Sequence, residues 1–157
     1  MACAYQDPDS KLSLREGLDE YRRANARPGF LDEEELTRTR GERVAALFHN
    51  HDRIHVVFGL STELRHEVLA DTWTFAGADI HWREYVDYLR EPAAQELLQD
   101  IGYLETARVS IQSIPAVLRA IARARRMKKP WPFADHDAYL DIPLNEIRRE
   151  FGIELVA

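Results

Sequence analysis

Apolar residues recur at intervals of three and four through most of this chain, and in no segment do they alternate with period two. Leu14, Leu18 and Tyr21 form the first stripe. Ser13 followed by Glu16 has the spacing of a capping box ahead of it, and Arg27-Pro28-Gly29 stops the run. The acidic residues 32–35 suit the positive end of a second helix dipole. Val44, Leu47, Phe48, His51, Ile54, His55 and Phe58 then share one face until Gly59. Val56, Val57 and Phe58 favour strands taken alone, but they stay in phase with the helical period before them and read as helix.

Ser61 or Thr62 is placed to cap a third helix carrying Leu64, Glu67, Val68, Asp71 and Phe75, with Gly77 as its stop. Trp82, Tyr85, Val86 and Leu89 make a further helical face that ends before Pro92. Residues 93–106 and 111–127 read as separate helices, with Pro115 at an early helical position or a kink. Trp131-Pro132-Phe133 reads as a turn or extended link, and Pro143 opens a last helix that Gly152 closes, with Leu144 and Ile147 inward. The pattern predicts an all-α, single-domain helical bundle of about six helices over residues 1–157. Residues 1–11 are expected to be a flexible N-terminus.

A chain of 157 residues with a hydrophobic fraction of 45% has room for one real core. The formal net charge of −6 argues against nucleic acid, whose phosphates call for a Lys/Arg surface. Cys3 is the single cysteine, so neither a disulfide framework nor a thiolate zinc site is available. No basic leader followed by an apolar run and no membrane-length apolar stretch is present, and a cytoplasmic protein with at most peripheral membrane contact is expected.

Four of the six histidines fall between Phe48 and Glu67. His51 and His55 stand four apart and project from nearly the same helix face, the spacing with which a helix offers two imidazoles to one ion. Asp52 beside them is suited either to ligate or to orient an imidazole. His49 points about 160° away from His51 and is expected to pack or be solvated, and His66 is also placed outside the site. On one unbroken helix Glu67 would lie about 24 Å from His51, but a chain reversal between Gly59 and Thr62 would return it level with His55. His51, Asp52, His55 and Glu67 are then candidate ligands for a divalent metal: zinc first, with iron, manganese and cobalt as alternatives. The competing reading of such a pair is a partly buried polar contact or surface decoration.

His51-Asp52-x-x-His55, eleven residues and then Glu67 is the pattern of the coenzyme Q biosynthesis protein 4 family, which this chain resembles. Gly17-Leu-Asp-Glu-Tyr-Arg-Arg-Ala-Asn25 is similar to that family's segment ahead of the metal helices. Pro143-Leu-Asn-Glu-Ile-Arg-Arg-Glu-Phe-Gly-Ile153 is similar to its C-terminal helix. The resemblance runs from about Leu12 onward, with the middle of the chain matched by helical character. It implies an all-α protein of ubiquinone biosynthesis that binds a divalent metal and a prenylated aromatic lipid. The family is viewed both as an organiser of other quinone-biosynthesis proteins and as an enzyme of oxidative decarboxylation at ring carbon C1. The chain begins close to the metal helices and is expected to be a short bacterial-type member without the longer N-terminal region, peripheral at the inner face of the membrane.

Other readings compete. The His51-Asp52 pair also resembles the HD phosphohydrolases, which need further ligands such as His81 and Asp135 or Asp137. A non-catalytic scaffold or prenyl-lipid carrier would use the ion to pin two helices. Arg119, Arg123, Arg125, Arg126, Lys128 and Lys129 concentrate six positive charges, leaving −12 on the remainder. They complement a helix C-terminus, or they face an anionic membrane, with Arg123, Arg126, Lys128 and Trp131 as candidate contacts. Trp73, Phe75, Trp82, Tyr85 and Tyr88 form an aromatic stripe expected to be core, or else to line a lipid tunnel.

Overall fold

Ser13 and Glu16 start the first helix as their spacing predicts. The Glu16 carboxylate accepts the Ser13 backbone N–H at 2.8 Å, and the Ser13 hydroxyl accepts the Glu16 N–H at 3.2 Å. A computed structural model describes residues 3–25, 38, 42–80 and 103–156. Among them lie five α-helices: α1 (Leu14–Asn25), α2 (Glu42–Val57), α3 (Leu64–Gly77), α4 (Tyr103–Ala124) and α5 (Leu144–Phe151). Short 3-10 turns stand at Ala4–Gln6 and Asp137–Tyr139. Extended pairing among the described residues is limited to two isolated bridges, Ser13 with Pro143 and Ala78 with Trp131. The architecture is an all-α bundle around one core. The expected helix through Trp82 and Leu89, the residues Arg27-Pro28-Gly29 and the acidic cluster at 32–35 lie outside the described residues.

Ile54, Val56, Val57 and Phe58 at the end of α2 are fully buried together with Leu69, Ala70 and Trp73 of α3. Phe58 stacks on Trp73 at a centroid distance of 4.4 Å. α3 lies along α4, while Leu14, Leu18 and Tyr21 of α1 close the other side of the core. Between α2 and α3 the chain reverses through Gly59, whose φ of 68° is a left-handed conformation that costs other residues a Cβ clash. The Leu60 N–H returns to the His55 carbonyl at 2.7 Å and completes the turn.

Several expectations change. Of residues 1–11, expected to be flexible, the described part, 3–11, is anchored to the core through Tyr5, which is 1% exposed and whose hydroxyl donates to the Leu60 carbonyl at 2.9 Å. The Ala4 and Tyr5 N–H groups also donate to the Glu20 carboxylate. Glu63, not Ser61 or Thr62, is the N-cap of α3, without a side-chain capping bond. The Ser61 and Thr62 hydroxyls are engaged with His66 and Asn25 instead. The break expected between residues 106 and 111 is absent: Ala107-Arg-Val-Ser110 contains no helix breaker, and α4 runs straight through Pro115. Pro115 sits on the exposed face, where water can satisfy the carbonyl its missing N–H leaves unpaired.

The C-terminal helix is fastened by a buried cation. Arg148 is 4% exposed, and among the described residues it donates to five backbone carbonyls, with the Asp7 carboxylate as an opposing charge nearby. Its Nε reaches Val57 at 2.9 Å and its Nη2 reaches Val56 at 3.0 Å and Tyr5 at 2.6 Å, while Nη1 serves Asp7 and Pro8. One guanidinium thereby neutralises the negative end of α2 and joins it to the N-terminal turn and to α5. Burial pulls the Arg148 pKa down to about 10, which still leaves it charged at neutral pH.

Part of the basic run also makes contacts with this segment. Arg123 donates to the Leu155 carbonyl, Arg126 pairs with Glu154 at 2.9 Å, and Lys128 Nζ donates to the Arg149 carbonyl at 2.9 Å. Lys129 pairs with Glu150 at 2.6 Å. Trp131 is fully buried, edge-on to Phe151, with its backbone held in the extended link by the Gly77 carbonyl. No described helix is long and apolar enough to cross a membrane.

Gly59→Ala forces a left-handed conformation on a residue with a Cβ. It is expected to destabilise the protein by about 1–2 kcal/mol in urea unfolding, with the slope unchanged. A loss below about 0.3 kcal/mol would show that the turn does not depend on this glycine.

Candidate metal centre

The α2 face does what the four-residue spacing predicts. The rings of His51 and His55 meet edge to face with centroids 4.8 Å apart. His55 is completely buried, and the Tyr21 ring stacks on it at 5.3 Å. Its Nδ1 lies 3.0 Å from the Ser61 carbonyl, which can only accept. Nδ1 therefore carries a proton, and Nε2 is the ring atom turned to the other side.

On that other side is Glu67. Its Oε2 lies 3.4 Å from His55 Nε2 and 3.9 Å from His51 Nε2. The same His51 Nε2 lies 3.9 Å from Asp71 Oδ1. His55 thus faces Glu67 while His51 faces Asp71, the register of two antiparallel helices joined by the Gly59 turn. One donor atom each from His51, His55 and Glu67 lies within 4.8 Å of the others.

The donor chemistry fits a divalent ion. His55 Nε2 is buried without a hydrogen-bond partner, and a lone pair held against a carboxylate requires a positive charge between them, a proton or a metal. Donors bonded at about 2.1 Å to one ion, at tetrahedral or octahedral angles, lie about 3.0–3.4 Å apart. The His55 to Glu67 distance of 3.4 Å is already there, and His51, 3.9 Å from Glu67 in a group that spans up to 4.8 Å, must close by about half an ångström toward Glu67 and by more toward His55. The Nδ1–H donated to the Ser61 carbonyl is the outer contact that fixes a ligating histidine's tautomer.

Charge in the site is strongly coupled. Burial works to lower the His51 pKa, but the Asp71 carboxylate, with the further charges of Glu67 and Asp52, outweighs it and raises the net value. Burial works to raise Glu67, but the contact with His55 and the charges of His55, His51 and His66 hold it below the ordinary carboxylate range. Asp52 is pushed up, chiefly by burial, against the opposing pull of His51, His55, Arg22 and His49.

Of the four expected ligands, His51, His55 and Glu67 come together, and Asp52 stands beside them outside that compact group. His49 packs, with Nδ1 3.2 Å from Arg22, and His66 Nδ1 is occupied by the backbone N–H and hydroxyl of Ser61. Asp71 had no role in the expected site. Its signal was available: it follows Glu67 by four residues, as His55 follows His51. Asp135 and Asp137 are exposed, and His81 lies outside the described residues. Of the aromatic stripe, Trp73 is core and Phe75 is 48% exposed; Trp82, Tyr85 and Tyr88 lie outside the described residues.

The fold and site define an all-α protein with a His/His/Glu cluster able to coordinate a divalent metal. Comparison with protein-family models, with curated proteins and with solved structures finds no match to this chain.

The two shifted pKa values predict how the metal-free protein responds to pH. The raised His51 value contributes stability that is complete below its ordinary 6.5 and is lost as pH rises through the raised value. The lowered Glu67 value contributes stability present above its ordinary 4.5 and lost as pH falls through the lowered one. In the presence of a chelator, the melting temperature is expected to fall between pH 6 and pH 8, and less so in His51→Gln. Metal binds the deprotonated imidazole, so the stabilisation by added zinc should be larger at pH 8 than at pH 6. Equal stabilisation at the two values would contradict this arrangement.

Proposed function

We propose that this chain is a divalent-metal protein of prenylated quinone biosynthesis, acting in oxidative decarboxylation at C1 of a prenylated hydroxybenzoate-type ring. The observation that carries the metal half of the reading is His55: its Nδ1–H is tied to the Ser61 carbonyl, and its buried Nε2 is aimed at Glu67, 3.4 Å away, with His51 alongside. The quinone half rests on the resemblance of His51-Asp52-x-x-His55-x11-Glu67 and the flanking segments to the coenzyme Q biosynthesis protein 4 family.

In the proposed reaction the bond from the ring to its carboxyl breaks and carbon dioxide leaves, water supplies the oxygen of the new ring C–O bond, and dioxygen as external oxidant takes up the two electrons and two protons released and leaves as hydrogen peroxide. A bound divalent ion would supply Lewis-acid stabilisation of the ring substrate's negative charge. His51, His55 and Glu67 would hold it with nitrogen and oxygen donors only, zinc being the first expectation and iron, manganese or cobalt the alternatives. The Ser61 carbonyl and the Tyr21 ring keep His55 in the ligating orientation. Glu67, about one-third exposed, lies on the side from which a substrate could approach.

A second reading, a scaffold or prenyl-lipid carrier with a structural ion, is favoured by the position of the site between α2 and α3, where an ion would pin the helices. Elemental analysis of purified wild type, His51→Ala and Glu67→Ala separates these. Near-stoichiometric metal in the wild type and its loss in both variants is expected. Loss of decarboxylation in Glu67→Ala with the fold retained indicates an enzyme, whereas a lowered melting temperature with no turnover in the wild type indicates the scaffold. Equal metal content in all three proteins would overturn both.

A further inference from the structure

Resting on the metal reading above, we infer that Asp71 is a further carboxylate ligand of the centre, so that two imidazoles from α2 face two carboxylates from α3. His51 Nε2 is equidistant, at 3.9 Å, from Glu67 Oε2 and Asp71 Oδ1, and so stands between the two acids as a shared donor. Glu67 and Asp71 are one helical turn apart on one face of α3. Two like charges in that relation repel unless a cation lies opposite, and the residues opposite are His51 and His55, themselves one turn apart.

The Asp71 oxygen lies outside the compact His51, His55 and Glu67 group and must swing toward it. Its side chain is 49% exposed, and the oxygen nearest the group stands 3.9 Å from His51 Nε2. Asp52 is less well directed. It follows His51 immediately on α2 and is turned about 100° from it, whereas the ligand face of α2 is set by residues four apart. With Asp71 bound, the donor set becomes two nitrogens and two carboxylate groups, a harder set than three ligands and water. It suits five- or six-coordinate ions such as iron(II), manganese(II) or cobalt(II) as well as zinc.

Cobalt(II) tests this, because its visible bands report coordination number and its affinity is measured by competition with a chelator. The comparison is wild type, Asp71→Asn, Asp71→Glu and Asp52→Asn. Asp71→Asn is expected to weaken cobalt binding about 10-fold or more and to change band position and intensity, with Asp71→Glu recovering most of both. Asp52→Asn should change the bands less than Asp71→Asn does, and the reverse order overturns the assignment to Asp71. The melting temperature of each metal-free variant is read in parallel; a variant that binds weakly because it is misfolded shows it there, and the Asp71→Glu result then decides. Wild-type affinity and bands in Asp71→Asn overturn the inference while leaving the metal centre standing. Absence of cobalt binding in the wild type defeats the metal reading itself.

Discussion

The reversal between α2 and α3 is the constraint on which the site depends. Without it, Glu67 would travel away from His51 along one helix by about 24 Å. The turn is held from several directions: Gly59 supplies the left-handed residue, the Leu60 N–H returns to the His55 carbonyl, and Tyr5 donates to the Leu60 carbonyl. His55 itself closes the loop by donating to the Ser61 carbonyl. The proposed ligand is thus also part of the turn that brings its partner to it, and the geometry of the site and of the reversal are the same set of contacts.

Arg148 supports that turn from below. A buried guanidinium is costly to desolvate, and here five carbonyls compensate it. Two of these, from Val56 and Val57, belong to the final turn of α2, immediately after His55. The others come from the N-terminal turn, so a residue 97 positions beyond the first metal-facing histidine fixes where α2 ends. The basic residues of the α4 end bind the C-terminal segment by ion pairs and carbonyl contacts, which keeps α5 and its arginine in register.

Much of this was legible in the sequence because it is local. The Ser13 to Glu16 box, the stripe of Leu14, Leu18 and Tyr21, and Gly59 and Gly152 as stops all follow from spacing and backbone preference. The return of Glu67 to His55 was legible because a helix–glycine–helix pattern has few ways to reverse. What spacing could not convey is non-local. The burial of Tyr5 depends on Leu60 and Glu20, and that of Trp131 on Gly77 and Phe151, contacts that no local window contains. Pro115 stands inside one continuous helix and does not open a second one: a proline on an exposed helix face removes one bond that water can replace. Asp71 lies beyond the His51-Asp52-x-x-His55-x11-Glu67 spacing, and only the register across the two helices brings it to His51.

X-ray absorption at the metal edge of the zinc-loaded protein tests the central claim most directly, because imidazole ligands leave a characteristic multiple-scattering pattern and sulfur scatters at a longer distance. The account predicts a first shell of nitrogen and oxygen at about 2.0–2.2 Å with two imidazoles and no sulfur. A shell of water oxygens without imidazole scattering would contradict it.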